Sequence, residues 1–194
     1  MNKLTIYVIG AVIVGGGILT ILITNNSDAG VTVTDVTTGK SEEVKFEDNA
    51  AGNMACKILT ENVAKMILGD SAKNGELPVG QTVTKDISVS NCVYTAPIDP
   101  AAPVRIANTK GVSLLIRSAK TSKGKDSNID QFSVLKPSGV EDVNGFGDKA
   151  FFNPEFGQLN VLKDGNWYIV TSYTGNAGAG TLASNTELAN LLNL

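Results

Sequence analysis

The fold is decided by residues 158–173, QLNVLKDGNWYIVTSY. Two runs rich in apolar and β-branched residues, Gln158–Leu162 and Trp167–Tyr173, flank the polar segment Lys163-Asp164-Gly165-Asn166. An Asp-Gly pair between two such runs is typical of a two-residue hairpin turn, because Asp and Gly accept the positive φ angles that this turn requires. The segment therefore predicts an antiparallel β-hairpin.

Further strand signals precede this hairpin. Alternation of apolar and polar residues predicts strands at 82–84 and 87–94. Another strand is predicted at 112–119, where the run Leu114-Leu115-Ile116 indicates burial on both faces, and a short one at 150–152. Three prolines interrupt the chain between the second and third of these strands. They predict loop or edge structure there, since proline has no amide hydrogen for a sheet; they are Pro97, Pro100 and Pro103.

Three helices are predicted around these strands. The clearest covers 60–68, where Thr60 is the expected N-cap and Gly69 the expected stop. The other two cover 126–135 and the C-terminal residues, where Ser184 or Asn185 is the expected cap of a helix through Leu192. The order of helix, strands, helix, strands and helix predicts an α+β fold, an antiparallel sheet packed with short helices.

An apolar segment lies before this domain. Leu4–Thr24 contains 21 residues without a charge, and a helix of that length reaches about 31 Å, the thickness of a bilayer's hydrocarbon core. The segment predicts one N-terminal transmembrane helix. Lys3 precedes it and the next basic residue is Lys40, so the N-terminus is expected in the cytoplasm and the later residues outside. A signal peptide cleaved after Ala29 is the alternative.

These patterns divide the chain into an anchor (1–24), a stalk (25–53) and an extracytoplasmic domain (54–194). Within the stalk, Val31–Thr34 fits a short edge strand, whereas 37–43 is polar and typical of turns. In the anchor, Ala11 and Gly15 form a pair of small residues that favours a weak homodimer of helices. The ordinary glycine content of membrane helices is the alternative explanation.

Composition excludes several classes of function. The chain has 16 basic and 19 acidic residues, so it lacks the positive stripe that binding to nucleic acid requires. It has no histidine, which excludes Ser-His-Asp and Cys-His nucleophiles and histidine-based zinc sites. No catalytic, cofactor-binding or metal-binding residue is assigned, and no cofactor is expected.

Cys56 and Cys92 are the only cysteines, and both lie in the part expected outside the cell. An even number of cysteines in an oxidising compartment predicts a structural disulfide between them. Two thiols without histidine are too few ligands for a metal site, and a C-x-x-C redox motif is absent.

Several short motifs suggest chemistry but lack the residues that would complete it. Ser133 to Lys136 and Ser122 to Lys125 match S-x-x-K without the companion motifs of penicillin-recognising enzymes. Asp126–Asp130 has the alternating oxygens of a calcium loop but lacks its glycine and its terminal glutamate. Gly39-Lys40-Ser41 and 175–181 resemble incomplete phosphate loops.

Two residue clusters have both a structural and a functional interpretation. Lys120, Lys123 and Lys125 are interpreted as a solvated loop tip, with contact to anionic lipid or wall polymer as the alternative. Most of the aromatic residues fall between 146 and 168; the majority are expected in the core, and one or two on an exposed binding surface.

The motifs together resemble a known family. They are Ala55-Cys56-Lys57-Ile58-Leu59-Thr60, Cys92-Val93-Tyr94, Gly145-Phe146-Gly147-Asp148-Lys149-Ala150-Phe151, and the hairpin before a Leu-rich helix. This arrangement is similar to small secreted cell-envelope lipoproteins of actinobacteria, a domain of unknown function. The resemblance covers about residues 54–194 and implies a Cys56–Cys92 disulfide and a sandwich related to PsbP, but no catalytic residues. The chain differs in lacking the lipid-modified cysteine, in place of which it has the membrane segment.

Three functions follow as hypotheses. The first is a non-enzymatic, membrane-anchored extracytoplasmic domain of the cell envelope that binds an envelope protein or a small ligand through its sheet face. The second is an envelope hydrolase or transferase that uses carboxylates such as Glu141, Asp142 and Asp148, which lie with Asn144 in an oxygen-rich cluster. The third is a structural subunit of a surface assembly.

Overall fold

The computed structural model describes residues 54–74, 81–99, 109–174 and 180–194, and the backbone of six short strands before residue 48. The first four strands lie within the apolar segment. They are β1 (Ile6–Tyr7), β2 (Val12–Val14), β3 (Gly17–Leu19) and β4 (Ile23–Thr24), and β1 pairs with β4 and β2 with β3.

The helix predicted over 4–24 is therefore not shown. The residues described there are extended, and within the described part of the chain no helix combines the length and apolarity needed to cross a bilayer. Twelve of the 21 residues from Leu4 to Thr24 are Ile, Val or Thr, and four are Gly. Such residues have low helix propensity, and outside a bilayer they favour extended pairing.

Two strands lie in the predicted stalk. They are β5 (Val31–Thr34), the predicted edge strand, and β6 (Ser41–Glu47), which pair antiparallel with each other. Residues 41–43, predicted as part of a turn, thus belong to a strand. The remaining stalk residues lie outside the described part.

The later elements follow in a regular order. The helices are α1 (Met54–Ile58), α2 (Glu61–Leu68), α3 (Ser122–Leu135) and α4 (Leu182–Leu191). The strands are β7 (Lys73–Asn74), β8 (Gln81–Val83), β9 (Ile87–Pro97), β10 (Thr109–Ala119), β11 (Lys149–Asn153), β12 (Gln158–Lys163) and β13 (Asn166–Thr174). They form an antiparallel sheet in the order β11-β12-β13-β10-β9-β8-β6-β5, with β7 paired to β9, which confirms the α+β prediction.

The hairpin of β12 and β13 is confirmed. Lys163 pairs with Asn166, and the two residues between them have φ angles of 54° at Asp164 and 76° at Gly165. Both angles lie in the left-handed region, as a two-residue turn between twisted strands requires. Pro97 is the last residue of β9, whereas Pro100 and Pro103 lie outside the described residues.

Helices cover both faces of the sheet. α1, α2 and α4 pack on one face, where the larger core includes Leu59, Leu114 and Leu188. α3 packs on the other face over a smaller core of Phe132, Phe151, Leu162 and Trp167. The disulfide predicted between Cys56 and Cys92 is present and joins α1 to β9. Among the described elements, three helices thus pack on one face of the sheet and one helix packs on the other.

Helix ends confirm one prediction and correct two. Thr60 caps α2 by accepting from the Val63 amide, and Gly69 follows its last turn with φ of 83°. α3 begins one turn before the predicted residue 126, since Thr121 accepts from the Gly124 amide. α4 is capped by Thr181 and not by Ser184 or Asn185, because Ser184 occupies the third helical position of a capping box.

Candidate functional site: the open face of the sheet

The face that α3 covers is only partly covered, and the pairing register shows which residues remain. Neighbouring residues on β9, β10 and β13 form three rows on this side, since side chains alternate along each strand. We call these nine residues the open face: Asn91, Leu115 and Ile169; Val93, Ser113 and Thr171; Thr95, Gly111 and Tyr173. Ile169 packs against the smaller core under α3, and no helix among the described elements packs over the other eight as α3 packs over Trp167 in the adjoining row.

The open face combines hydroxyl, amide and apolar groups. Seven of the nine residues are partly exposed, whereas Val93 and Gly111 are buried. The Tyr173 ring lies against Gly111, its partner across the strands, at the position that a Cβ would occupy. Burial raises the pKa of Tyr173, so its phenol is neutral at pH 7 and can donate or accept a hydrogen bond.

One basic side chain lies at the boundary between the open face and α3. Arg117 occupies the next row, with Val89 and Trp167 as its cross-strand partners. Its Nε donates to Asn128 Oδ1 at 2.6 Å and its Nη2 donates to Ser127 Oγ at 3.1 Å. The guanidinium is thereby fixed against α3 while its side chain is only partly buried.

Asn128 holds α3 to the sheet. It is completely buried, and its Nδ2 donates to the carbonyls of Arg117 and Gly165 at 2.9 Å each. Together with the bond from Arg117 Nε, the amide joins the helix to β10 and to the hairpin turn. The positions of α3 and of the Arg117 guanidinium therefore depend on one buried side chain.

The packing of α3 shows which of its sides adjoins the open face. Lys125 lies against Gly165 in the hairpin turn, at the end of the sheet away from the open face. The side of α3 opposite Lys125 therefore borders the open face. Residues four apart lie on the same side of a helix. Ser127 and Gln131, both partly buried, meet this condition.

Arg117 has no acidic partner among the residues that the structure describes. The ion pairs found there join Lys65 to Glu61, Lys123 to Asp86 and Lys136 to Asp142. Burial lowers the pKa of Arg117 below its usual value, yet an arginine remains charged at neutral pH. The boundary of the open face thus contains a partly buried positive charge without a described counter-charge.

The predicted S-x-x-K pairs do not form nucleophilic sites. Ser133 donates to the Ile129 carbonyl one turn earlier, and Lys136 pairs with Asp142 at 2.8 Å. Ser122 is exposed in the first turn of α3, and Lys125 packs on the hairpin turn. Neither lysine is placed to accept a proton from its serine.

The predicted carboxylate cluster, Glu141, Asp142 and Asp148, does not form a catalytic group. The Lys136 hydrogen bond and charge lower the pKa of Asp142, the opposite of what a general acid needs. Asp148 accepts from the Asp164 amide at 2.9 Å, and Glu141 is exposed. Within the described residues, no group of three Cys, Asp or Glu side chains is arranged to hold a metal ion.

Other interpretations need correction. Asp126–Asp130 lies inside α3, so it forms neither a calcium loop nor the predicted helix start. Lys123 and Lys125 belong to the first turn of that helix and not to a loop tip; Lys120 precedes it and donates to the Thr84 carbonyl. Gly39, Lys40 and 175–179 lie outside the described residues.

The aromatic residues divide as predicted. Phe146, Phe151 and Trp167 are buried, and Phe152 and Tyr168 are partly buried. Phe156 is 60% exposed in the turn before β12, so a single aromatic side chain of this stretch lies fully at the surface. Tyr173, later in the chain, is partly buried like Phe152 and Tyr168.

The sequence did not predict a role for Arg117 or Asn128, nor the strand register that creates the open face. A basic residue near the end of a predicted buried strand, ten residues before a Ser-Asn pair on a helix, was the only available signal.

Comparison with protein-family models, curated proteins and solved structures finds no match to this chain. The resemblance to envelope lipoproteins therefore stays a prediction.

Proposed function

We propose that the chain is a membrane-anchored, extracytoplasmic binding domain of the cell envelope, that it is not an enzyme, and that it binds its partner or ligand through the open face. The observation that carries this proposal is the open face itself. A sheet face of mixed hydroxyl, amide and aromatic groups, bordered by a fixed arginine, suits recognition of a polar ligand.

Two features support the location. The Cys56–Cys92 disulfide fits an oxidising compartment outside the cytoplasm. The uncharged segment Leu4–Thr24 has the length of a single membrane span, and the basic residues around it favour a cytoplasmic N-terminus. A structural subunit of a surface assembly has no comparable observation in its favour.

The proposal that the chain is not an enzyme is supported by the contacts of its candidate catalytic side chains. Asp142 is ion-paired, Asp148 accepts from a backbone amide and Ser133 donates to a carbonyl within its own helix. Each group therefore already has a structural partner. A binding role needs no activated nucleophile, whereas a hydrolase or transferase would need one.

Proximity labelling in intact cells tests the proposal. The full chain carrying a labelling enzyme at its C-terminus is compared with Ser113→Arg, which places a long charged side chain in the centre of the open face. Asn62→Arg adds the same side chain at an exposed position of α2 and is the matched control.

We expect a discrete envelope protein or ligand-carrying component to be labelled by the wild type and by Asn62→Arg and to be lost in Ser113→Arg. Labelling of only abundant membrane neighbours, unchanged in Ser113→Arg, would contradict the proposal. Labelling of cytoplasmic proteins would contradict the proposed orientation.

A further inference from the structure

We propose that Arg117 binds an oxyanion, a phosphate or carboxylate group of the ligand, at the boundary between the open face and α3. This inference rests on the proposed function and names the chemistry that the ligand of the open face carries. Three features of Arg117 support it: the N–H donors that remain on its guanidinium, the absence of a counter-charge among the described residues, and its neighbouring side chains.

The guanidinium has donors left for a ligand. It carries five N–H groups, and the structure uses Nε for Asn128 and one N–H of Nη2 for Ser127. The Nη1 group and the second N–H of Nη2 have no partner among the described residues. These two nitrogens form one edge of the planar group, the edge that binds phosphate or carboxylate through two parallel hydrogen bonds.

The bonds to Asn128 and Ser127 also hold the guanidinium in one orientation. A fixed fork loses little conformational freedom when it binds, so its affinity for an oxyanion is higher than that of a mobile surface lysine. Lys123 is such a lysine, since its side chain is 85% exposed.

The absence of a counter-charge among the described residues indicates a ligand more than a purely structural role. A partly buried cation that is bonded only to neutral groups costs desolvation energy that a neutral side chain would avoid. Asn128 already joins α3 to the sheet through the carbonyls of Arg117 and Gly165, and these bonds do not need the guanidinium. The guanidinium is thus not the only link between α3 and the sheet, and an anion from solution would neutralise its charge.

Neighbouring groups complete the site. On the helix side, Gln131 is one turn after Ser127 and offers an amide. On the sheet side, the row after Arg117 contains Asn91, Leu115 and Ile169, and the row beyond contains Ser113 and Thr171. The arrangement suits a ligand with one anionic group at Arg117 and a hydroxyl-rich or partly apolar body along the open face.

The test uses inorganic phosphate and sodium acetate as separate probes of the full chain in detergent at constant ionic strength. The chain contains only two arginines, Arg105 and Arg117, so its arginine Nε–H region contains two NMR signals, which Arg105→Lys assigns. We expect the Arg117 signal to shift and saturate with at least one probe, while the Arg105 signal does not.

Two variants make the result specific. Arg117→Gln is expected to weaken binding by calorimetry about tenfold or more, because it removes a charged, bidentate contact. Lys123→Gln removes the same charge nearby and is expected to change the affinity by less than about twofold, since exposed charges are screened. The wild-type titration remains decisive if Arg117→Gln does not fold.

An Arg117 signal that does not saturate with either probe, or a loss of affinity in Lys123→Gln equal to that in Arg117→Gln, would overturn the inference. The proposed function would survive that result if Ser113→Arg still abolished labelling of the partner. Conversely, saturable phosphate binding without any labelling of a partner would support the oxyanion site at Arg117 and contradict the proposed function.

Discussion

The attachment of α3 to the sheet by Asn128 gives the sharpest stability prediction. In Asn128→Ala the helix loses three hydrogen bonds at once, to Arg117 Nε at 2.6 Å and to the carbonyls of Arg117 and Gly165 at 2.9 Å each. The first of these involves a charged donor. The residue is fully buried, so its replacement also leaves a small cavity.

The magnitude follows from these contacts. Each neutral bond contributes about 1 kcal/mol and the charged bond about 1.5 to 3 kcal/mol, so an upper value is about 5 kcal/mol. The groups left without a partner lie at a partly exposed boundary, where water recovers some of this loss. We therefore expect Asn128→Ala to lower the free energy of unfolding by about 2 to 4 kcal/mol, a large fraction of the stability of an ordinary domain.

Urea unfolding measures this loss. Trp167 is the only tryptophan and packs against Phe132 of α3, with ring centroids 6.3 Å apart, so its fluorescence reports on the attachment of the helix. Ser127→Ala is the matched control because it removes one neighbouring bond to the same arginine, and its expected cost is about 1 kcal/mol or less. A loss in Asn128→Ala no larger than in Ser127→Ala would refute the assigned role.

Three further predictions concern other parts of the fold. Replacing both Cys56 and Cys92 by Ser is expected to lower the free energy of unfolding by about 4 kcal/mol, because their 36-residue separation closes a long loop; an unchanged urea midpoint would contradict this. The pKa of Asp86 is lowered first by the hydrogen bond from Thr121 and then by the Lys123 charge. The ionised Asp86 therefore stabilises the folded state above about pH 4, and this stabilisation is lost as the pH falls through the pKa of the folded protein. The wild type should therefore melt at a higher temperature than Asp86→Asn at pH 7, and a difference that persists at about pH 2 would contradict this. Gly111→Val would collide with the Tyr173 ring and is expected to cost about 1 to 3 kcal/mol in urea unfolding, with part of the loss recovered in a double variant with Tyr173→Ala.

Local signals predicted the elements whose formation depends on local chemistry. The Asp164-Gly165 pair predicted the hairpin because its positive φ angles are a property of those two residues. Thr60 and Gly69 predicted both ends of α2 for the same reason. The disulfide followed from two cysteines and an expected compartment, which required no knowledge of the fold.

Errors arose where a distant contact determines the local structure. α3 begins early because the Thr121 hydroxyl also donates to Asp86 at 2.7 Å, 35 residues away in the chain. A Cβ on Gly124 would meet the Asp86 carbonyl oxygen, so glycine inside the first turn is a packing requirement and not a helix stop. The sequence around residues 121–125 shows none of this.

Asn185 was misassigned for a similar reason. It was expected as a helix cap, but it is fully buried and accepts from the Ser172 amide at 2.8 Å while donating to the Gly157 carbonyl at 3.0 Å. Local sequence favours asparagine at a cap, whereas the tertiary structure uses its amide to join α4 to β13 and to the turn before β12. Such a role is visible only once the strands are placed.

The candidate site could not be predicted, because it depends on register. Arg117 and Ser113 share one side of the sheet because they lie an even number of residues apart on β10, whereas Thr171 joins them only because β10 and β13 pair as they do. A shift of one residue would turn each of them to the covered face. Binding through the sheet face stays a prediction, and the described helices leave part of that face uncovered.

Photo-crosslinking from the centre of the open face is the most direct test of the central claim, that this face is the functional surface. A photoreactive amino acid at Ser113 in the full chain, irradiated in intact cells, is compared with the same amino acid at Asn62 on the exposed side of α2. We expect a discrete crosslinked product from position 113 that position 62 does not give. Equal products from both positions, or none from position 113 in a folded chain, would contradict the account.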